Sequence, residues 1–259
     1  MRPFIRRFLV FATAVIVPLS CPKENPQALL ILDAAAMDSQ SNCLIRTGGV
    51  SSSIRPFGIL DLAVTNSYWL FPHFKNLMSP ISTVTGESAS SGMPETNILT
   101  VQGAITYVDP GDLLTGASAA NVINKYFFDG VHSYVAMSVP PAGEGIVSVQ
   151  VIPPELGTQL EKGLQAFAKG HEYPSAWITV FVRLEALTQD KYLVHSNEFA
   201  FPILLCWGCL VRYVSNDPNA APTTSSFPCF VGQDEGFDNT ICRFFANHPE
   251  ICFPAEETE

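Results

Sequence analysis

Apolar and polar positions alternate with a period of two along several stretches of the chain. Leu60, Leu62 and Val64 alternate with Asp61, Ala63 and Thr65, and Leu99, Val101, Ile105 and Tyr107 with Thr100, Gln102 and Thr106. The same pattern returns as Val147, Val149 and Val151, then as Ile178, Val180, Val182 and Leu184. Period two predicts half-buried strands. Thr188-Gln189-Asp190-Lys191 predicts a hairpin turn into Tyr192 to Val194, and the apolar run Phe199 to Leu205 has the length of a buried strand.

One stretch changes period. Leu156, Leu160, Leu164 and Phe167 are spaced three or four apart between Pro154 and Gly170, which predicts a helix over residues 154–169 with proline at its start and glycine past its end. Strands with regular alternation and a single interposed helix predict an all-β fold. The expected form is an antiparallel β-sandwich, immunoglobulin-like with Greek-key connections. Ser79 to Thr96 and Asp109 to Gly130, rich in Ser, Gly, Ala and Asn, read as long loops.

The N-terminus has a different pattern. Arg2, Arg6 and Arg7 precede the apolar run Phe8 to Val17, which ends at Pro18-Leu19-Ser20-Cys21. A bilayer span needs roughly 20 apolar residues. This run is shorter and Lys23, Glu24 and Pro26 follow at once, so residues 1–20 read as a cleaved export signal. Cys21 then becomes the new N-terminus and the candidate for lipidation by acyl chains such as palmitate. The competing reading is an ordinary secretory signal cut after Ala36. Residues 21–55 are expected to form a lipid-anchored tether leading into the fold, 56–210 the β-sandwich, and 211–259 a cysteine-rich extension.

Cysteine usage agrees with export. The chain has seven cysteines, and lipidation of Cys21 would leave an even set, Cys43, Cys206, Cys209, Cys229, Cys242 and Cys252, able to form three disulfides in an oxidising compartment. Their spacing leaves the connectivity open. The chain is 47% hydrophobic and 15% charged, enough apolar material for a core. Its formal charge of −10 becomes more negative when three arginines leave with the signal. Such a surface repels phosphate backbones, which excludes nucleic acid as an expected partner. Membrane attachment then depends on acyl chains rather than on basic residues.

Cys206-Trp207-Gly208-Cys209 is the one stretch that resembles a chemical motif. A CxxC presents a reactive thiol when a following helix stabilises the thiolate, but Leu210 to Ser215 leads quickly to Asn216-Asp217-Pro218 and no helix is expected. Two cysteines three apart on an extended strand lie about 10 Å apart, beyond the roughly 7 Å that a disulfide spans. Extended geometry therefore favours partners in the Cys229 to Cys252 tail, with a turn at Trp207-Gly208 as the alternative. A zinc site would add His248 to these cysteines, but oxidation competes for the thiols. Asp234, Glu235, Asp238 and Asn239 offer hard oxygens suited to calcium, as an alternative to a solvated acidic loop.

There is no GxSxG elbow, HExxH pair or phosphate-binding glycine loop, and the five histidines lack metal-ligand spacing. No cofactor and no catalytic residue are expected. Tyr68, Trp69, Phe71 and Phe74 form a dense aromatic cluster, expected in the core, with a sugar- or protein-binding patch as the alternative. The chain resembles the cysteine-containing lipoproteins of myxobacterial type, a family without known activity. The likeness rests on the signal with Cys21, on 60–66 (Leu-Asp-Leu-Ala-Val-Thr-Asn), on Ser196 to Ile203 leading into Cys206 to Leu210, and on Gly232 to Glu235. It implies a non-catalytic, structural or binding module of the cell envelope, at the outer membrane or else secreted, whose partner is an envelope protein or polysaccharide. The alternatives are an adhesin and an exported enzyme, the latter a thiol–disulfide oxidoreductase at Cys206 and Cys209 or a hydrolase without a motif.

Overall fold

The longest alternation becomes the centre of the largest sheet. Over Ser175–Leu187, Ile178, Val180, Val182, Leu184 and Ala186 are buried and the residues between them are half-buried. The computed structural model describes residues 27–37, 43–45, 54–79, 97–114, 120–167, 174–215, 217, 228–242, 244 and 246–253. The segment expected to direct export, with Cys21, and the stretch 80–96 lie outside these.

The strands are β1 (Leu29–Ala34), β2 (Gly58–Asp61), β3 (Tyr68–Leu70), β4 (Pro72–Asn76), β5 (Leu99–Asp109) and β6 (Val131–Val139). They continue as β7 (Glu144–Ile146), β8 (Val149–Ile152), β9 (Ser175–Leu187), β10 (Leu193–His195), β11 (Phe199–Cys206), β12 (Val211–Arg212) and β13 (Phe237–Asp238). Helices are α1 (Ala120–Ile123), α2 (Pro154–Phe167) and α3 (Asn239–Cys242). A six-stranded sheet has the order β2-β11-β9-β5-β6, with β10 also beside β9, and a three-stranded sheet has the order β1-β4-β7. β3 pairs with β8, and β12 with β13.

The molecule is β-rich, with several mainly antiparallel sheets. One hydrophobic core takes Leu29, Ile31 and Phe74 from the three-stranded sheet, Val180, Val182 and Ile203 from the six-stranded sheet, and Leu156, Leu160 and Leu164 from α2. Asn197 joins the two sheets: its Oδ1 accepts from Ile31 N at 2.7 Å and its Nδ2 donates to Ile31 O at 3.2 Å. These bonds fall where the β1–β4 register slips between Ile31 and Asp33. Gly157 lets α2 approach the Asn66 carbonyl so closely that any Cβ would collide with it.

Several expectations change. Strand β2 runs parallel to β11, as β12 does to β13, so the fold is not wholly antiparallel. Residues 29–34, inside the segment expected to be tether and entry into the fold, form β1, with Leu29 and Ile31 in the core. A cut after Ala36 would remove that strand. The predicted strand over 60–65 ends at Asp61, where the chain turns: Val64 N and Thr65 N both donate to Asp61 O at 3.0 Å, and Ala63 N to Asp61 Oδ1 at 3.2 Å. An Asp side chain that bonds its own downstream backbone competes with a strand ladder.

In β5 a register shift between Val101 and Gly103 places exposed Gln102 in a bulge. The phase flips there, so Ala104 and Val108 join the core while Ile105 and Tyr107 face the other side, beside Gly130. The expected loop over 109–130 contains α1, continued as a π-helical turn through Asp129 that buries Tyr126. Helix α2 buries Leu156, Leu160 and Leu164, but Phe167 in its last turn is exposed. The hairpin forms as expected, with Lys191 N donating to Thr188 O at 2.9 Å.

Candidate functional site

At the end of β11 the chain turns sharply at Gly208, whose φ of 69° favours glycine. That turn brings the Cα atoms of Cys206 and Cys209 to 5.9 Å, and the two residues are disulfide-bonded to each other. The expectation of separate partners in the tail is therefore overturned, because it assumed extended backbone. The other bridges are Cys43–Cys229 and Cys242–Cys252. All six cysteines expected to pair do so, and Cys43–Cys229 ties the start of the chain to the tail.

Asp61 holds this corner. Completely buried, it accepts from Gly208 N at 2.7 Å through Oδ1 and from Leu210 N at 3.0 Å through Oδ2, besides Ala63 N. Burial raises its carboxyl above the usual range, while the three backbone donors pull it back. A carboxylate oxygen of Asp61 and both sulfurs lie within 4.8 Å of one another, the one such group of three possible metal-binding side chains among the described residues. Metal ligation needs thiolates, and here the sulfurs are joined to each other. Cys206 is buried under the turn and Cys209 is exposed. Trp207, between them, packs its ring on His248 with centroids 4.7 Å apart. His248 spends its nitrogens on Glu161 (2.8 Å) and Glu250 (3.0 Å), not on sulfur, so the proposed zinc set does not assemble.

A second buried polar cluster lies close by in sequence. Asp234 accepts from Ile59 N at 2.8 Å, from the Tyr68 hydroxyl at 2.9 Å and from Gln233 Nε2 at 3.3 Å, and it pairs with Arg55 at 3.5 Å. Its carboxyl is raised by burial, against the opposing pull of Arg55 and these donors. Tyr68 is pushed well up, first by burial and then by Asp234. Gln233 pairs with the Trp69 backbone through both amide atoms, at 2.9 and 2.7 Å.

The calcium candidates are thus committed separately: Asp234 to this cluster, Asp238 to Arg212 at 3.3 Å, and Asn239 to Val214 N, Ser215 O and Cys252 O. Glu235 does not join them in a metal-sized group. Tyr68, Phe71 and Phe74 are buried, Tyr68 and Phe74 within the main core, and Trp69 is half-buried.

The described histidines all lie against carboxylates. His73 sits between Asp33 and Glu144 at 3.2 and 3.3 Å, and His132 and His195 flank Glu185 at 3.8 and 3.7 Å. His171 lies outside the described residues. Two surface grooves are lined by described residues. One of about 420 Å³ runs along edge strand β6, lined by Tyr134 to Met137 and Ile146 to Ser148, and Tyr134 is 99% exposed. The other, of about 480 Å³, lies between α1 and α2 and includes Lys125, Tyr126 and Glu155. Sequence reasoning passed over Asp61, Arg55, Gln233 and Tyr134. The one available signal was an acidic residue set in the apolar run Leu60 to Val64.

Three disulfides belong to an oxidising setting, extracellular or within the envelope. No helix among the described residues is long and apolar enough to cross a membrane. Comparison with protein-family models and with curated proteins returns no match. A crystal structure of a protein from Archaeoglobus fulgidus is similar at 9% identity and a TM-score of 0.31, covering 61% of this chain and 90% of that one. A likeness at that level carries no argument.

Proposed function

We propose that the protein is a cell-envelope lipoprotein, held to the outer membrane through acylated Cys21, whose work is structural or binding. The observation that carries this reading is the pairing of six cysteines among themselves, which leaves Cys21, behind a basic and then apolar leader, as the seventh. An odd cysteine in an exported protein calls for a separate fate, and lipid is one that this leader supports. The domain it carries is a β-sandwich of immunoglobulin type. Support comes from the two sheets sharing one core; the parallel β2–β11 pair departs from a simple Greek key.

The envelope partner is a protein or a polysaccharide. For the adhesin form of this reading, the supporting observation is fully exposed Tyr134 beside the β6 groove, a ring face on which a sugar can stack. Labelled palmitate fed to expressing cells tests the anchor. Label should enter the wild-type protein and be absent from Cys21→Ser, which should move from the membrane to the soluble fraction. Equal labelling of the two would overturn the anchor.

A further inference from the structure

We infer that Cys206–Cys209 is a thiol–disulfide exchange site, with Cys209 the sulfur open to attack, Cys206 the buried leaving sulfur and Asp61 the proton relay between them. This goes beyond a structural or binding module and stands whether or not Cys21 carries lipid.

The three bridges differ in what explains them. Cys43–Cys229 spans 186 residues and Cys242–Cys252 spans 10, so both restrict the unfolded chain substantially. Cys206–Cys209 spans 3 and restricts it least, and the turn it closes is already held by the bonds from Gly208 and Leu210 to Asp61. Stapling accounts for this bridge poorly. Access separates them as well: Cys242 and Cys252 are fully buried, Cys43 and Cys229 are half-buried, and Cys209 alone of the six is exposed. Thiol–disulfide exchange needs access to one sulfur and a stabilised leaving sulfur.

Access is met at Cys209, and the leaving sulfur of Cys206 is served by protonation rather than by a stabilised thiolate. Cys206 Sγ lies 3.7 Å from Leu60 O, which a newly formed Cys206 thiol would reach as donor, and the Asp61 carboxylate is within 4.8 Å of both sulfurs. No helix follows Cys209, so the chain lacks the dipole that usually favours such a thiolate. The adjacent carboxyl group supplies a different device, transfer of the proton.

The partner class is a protein dithiol. One of its thiols, already ionised with its proton in solvent, attacks Cys209 Sγ. The Cys206–Cys209 bond breaks and its electron pair passes to Cys206 Sγ. The partner's second thiol loses its proton to solvent, while Asp61, close to both sulfurs, passes a proton to Cys206 and is reloaded from solvent as the turn opens. That second sulfur then attacks the first, the mixed disulfide breaks, and Cys209 leaves as a thiolate that is protonated by solvent. The partner dithiol is oxidised to a disulfide, and this chain's disulfide is reduced by the same two electrons.

The test uses the full-length folded protein in graded glutathione buffers, with dithiothreitol as the dithiol probe, followed by acid quench, alkylation and peptide mass spectrometry. Cys206–Cys209 should open at least about tenfold faster than either other bridge, as the access to Cys209 requires. Oxidised glutathione should add to Cys209 in Cys206→Ser and leave Cys206 unmodified in Cys209→Ser. Asp61→Asn should leave the attack on Cys209 measurable but slow the closing of the reduced pair. Should Asp61→Asn fail to fold, the two cysteine variants decide. Simultaneous opening of all three bridges, or an adduct on Cys206 in Cys209→Ser, would overturn the inference. Cys21→Ser should change none of these rates, which separates this result from the fate of the lipid anchor.

Discussion

The six-stranded sheet and the corner formed by Asp61, β12, β13 and the C-terminal segment are stabilised by opposite means. In the sheet, β5, β9 and β11 bury long alternating apolar faces, and the stabilisation is spread over many side chains. In the corner a small apolar group, Val64, Leu210, Val211 and Phe237, packs around Cys242 and Cys252. Shape there is fixed by a few buried polar bonds: Asp61 to the Cys206–Cys209 turn and Asn239 to Ser215 O and Cys252 O. His248 N and Asn247 N add bonds to Ala63 O and Val64 O, at 3.0 and 3.1 Å. The comparison teaches that spread apolar burial tolerates small local errors, whereas a region built on single bonds fails one bond at a time.

The largest expected effect sharpens that contrast on the side of the core. Phe74 is completely buried in the shared core, and Phe74→Ala should cost about 3–5 kcal/mol in urea unfolding, followed by far-ultraviolet circular dichroism. Removing the bridges should give a graded series. By loop-closure entropy, replacing both cysteines by serine should cost up to about 5 kcal/mol for Cys43–Cys229, about 3 for Cys242–Cys252 and about 2 for Cys206–Cys209. A flat series would break the comparison, since it would mean that the corner does not depend on its cross-links.

The smallest effect concerns pH. The Asp61 and Asp234 carboxyls are both raised by burial above 3.8, so folding favours their protonated forms. Their contribution to stability is fully present below 3.8 and is lost as pH rises through the folded-state values. Urea midpoints measured from pH 3.8 upward should therefore show a flatter fall in Asp234→Asn than in the wild type.

Much of the sheet was legible in the sequence, because period-two alternation is a local record of which face is buried. Strand β9 follows from that record, the hairpin into β10 from its turn residues, strand β11 from the length of its apolar run and helix α2 from a period of three to four. The record misleads where a local bond or an inserted residue breaks the period. Asp61 ends β2 by bonding its own downstream backbone, and Gln102 flips the second half of β5. Strand β1 was hidden because six residues outside a longer pattern show too little alternation to stand out. The corner was least legible: Asp61 meets residues 147 and 149 positions away, and the Cys206–Cys209 bond depends on the positive φ of Gly208. Spacing alone carries neither fact. Composition did predict that six cysteines would form three bridges.

Peptide mapping of the native protein under non-reducing conditions, with a count of free thiols, tests the account most directly. The account predicts three cross-linked peptide pairs, Cys43 with Cys229, Cys206 with Cys209 and Cys242 with Cys252, and no free thiol among those six. Bridges joining Cys206 or Cys209 to the tail, or six reduced sulfurs in protein taken directly from cells, would contradict it.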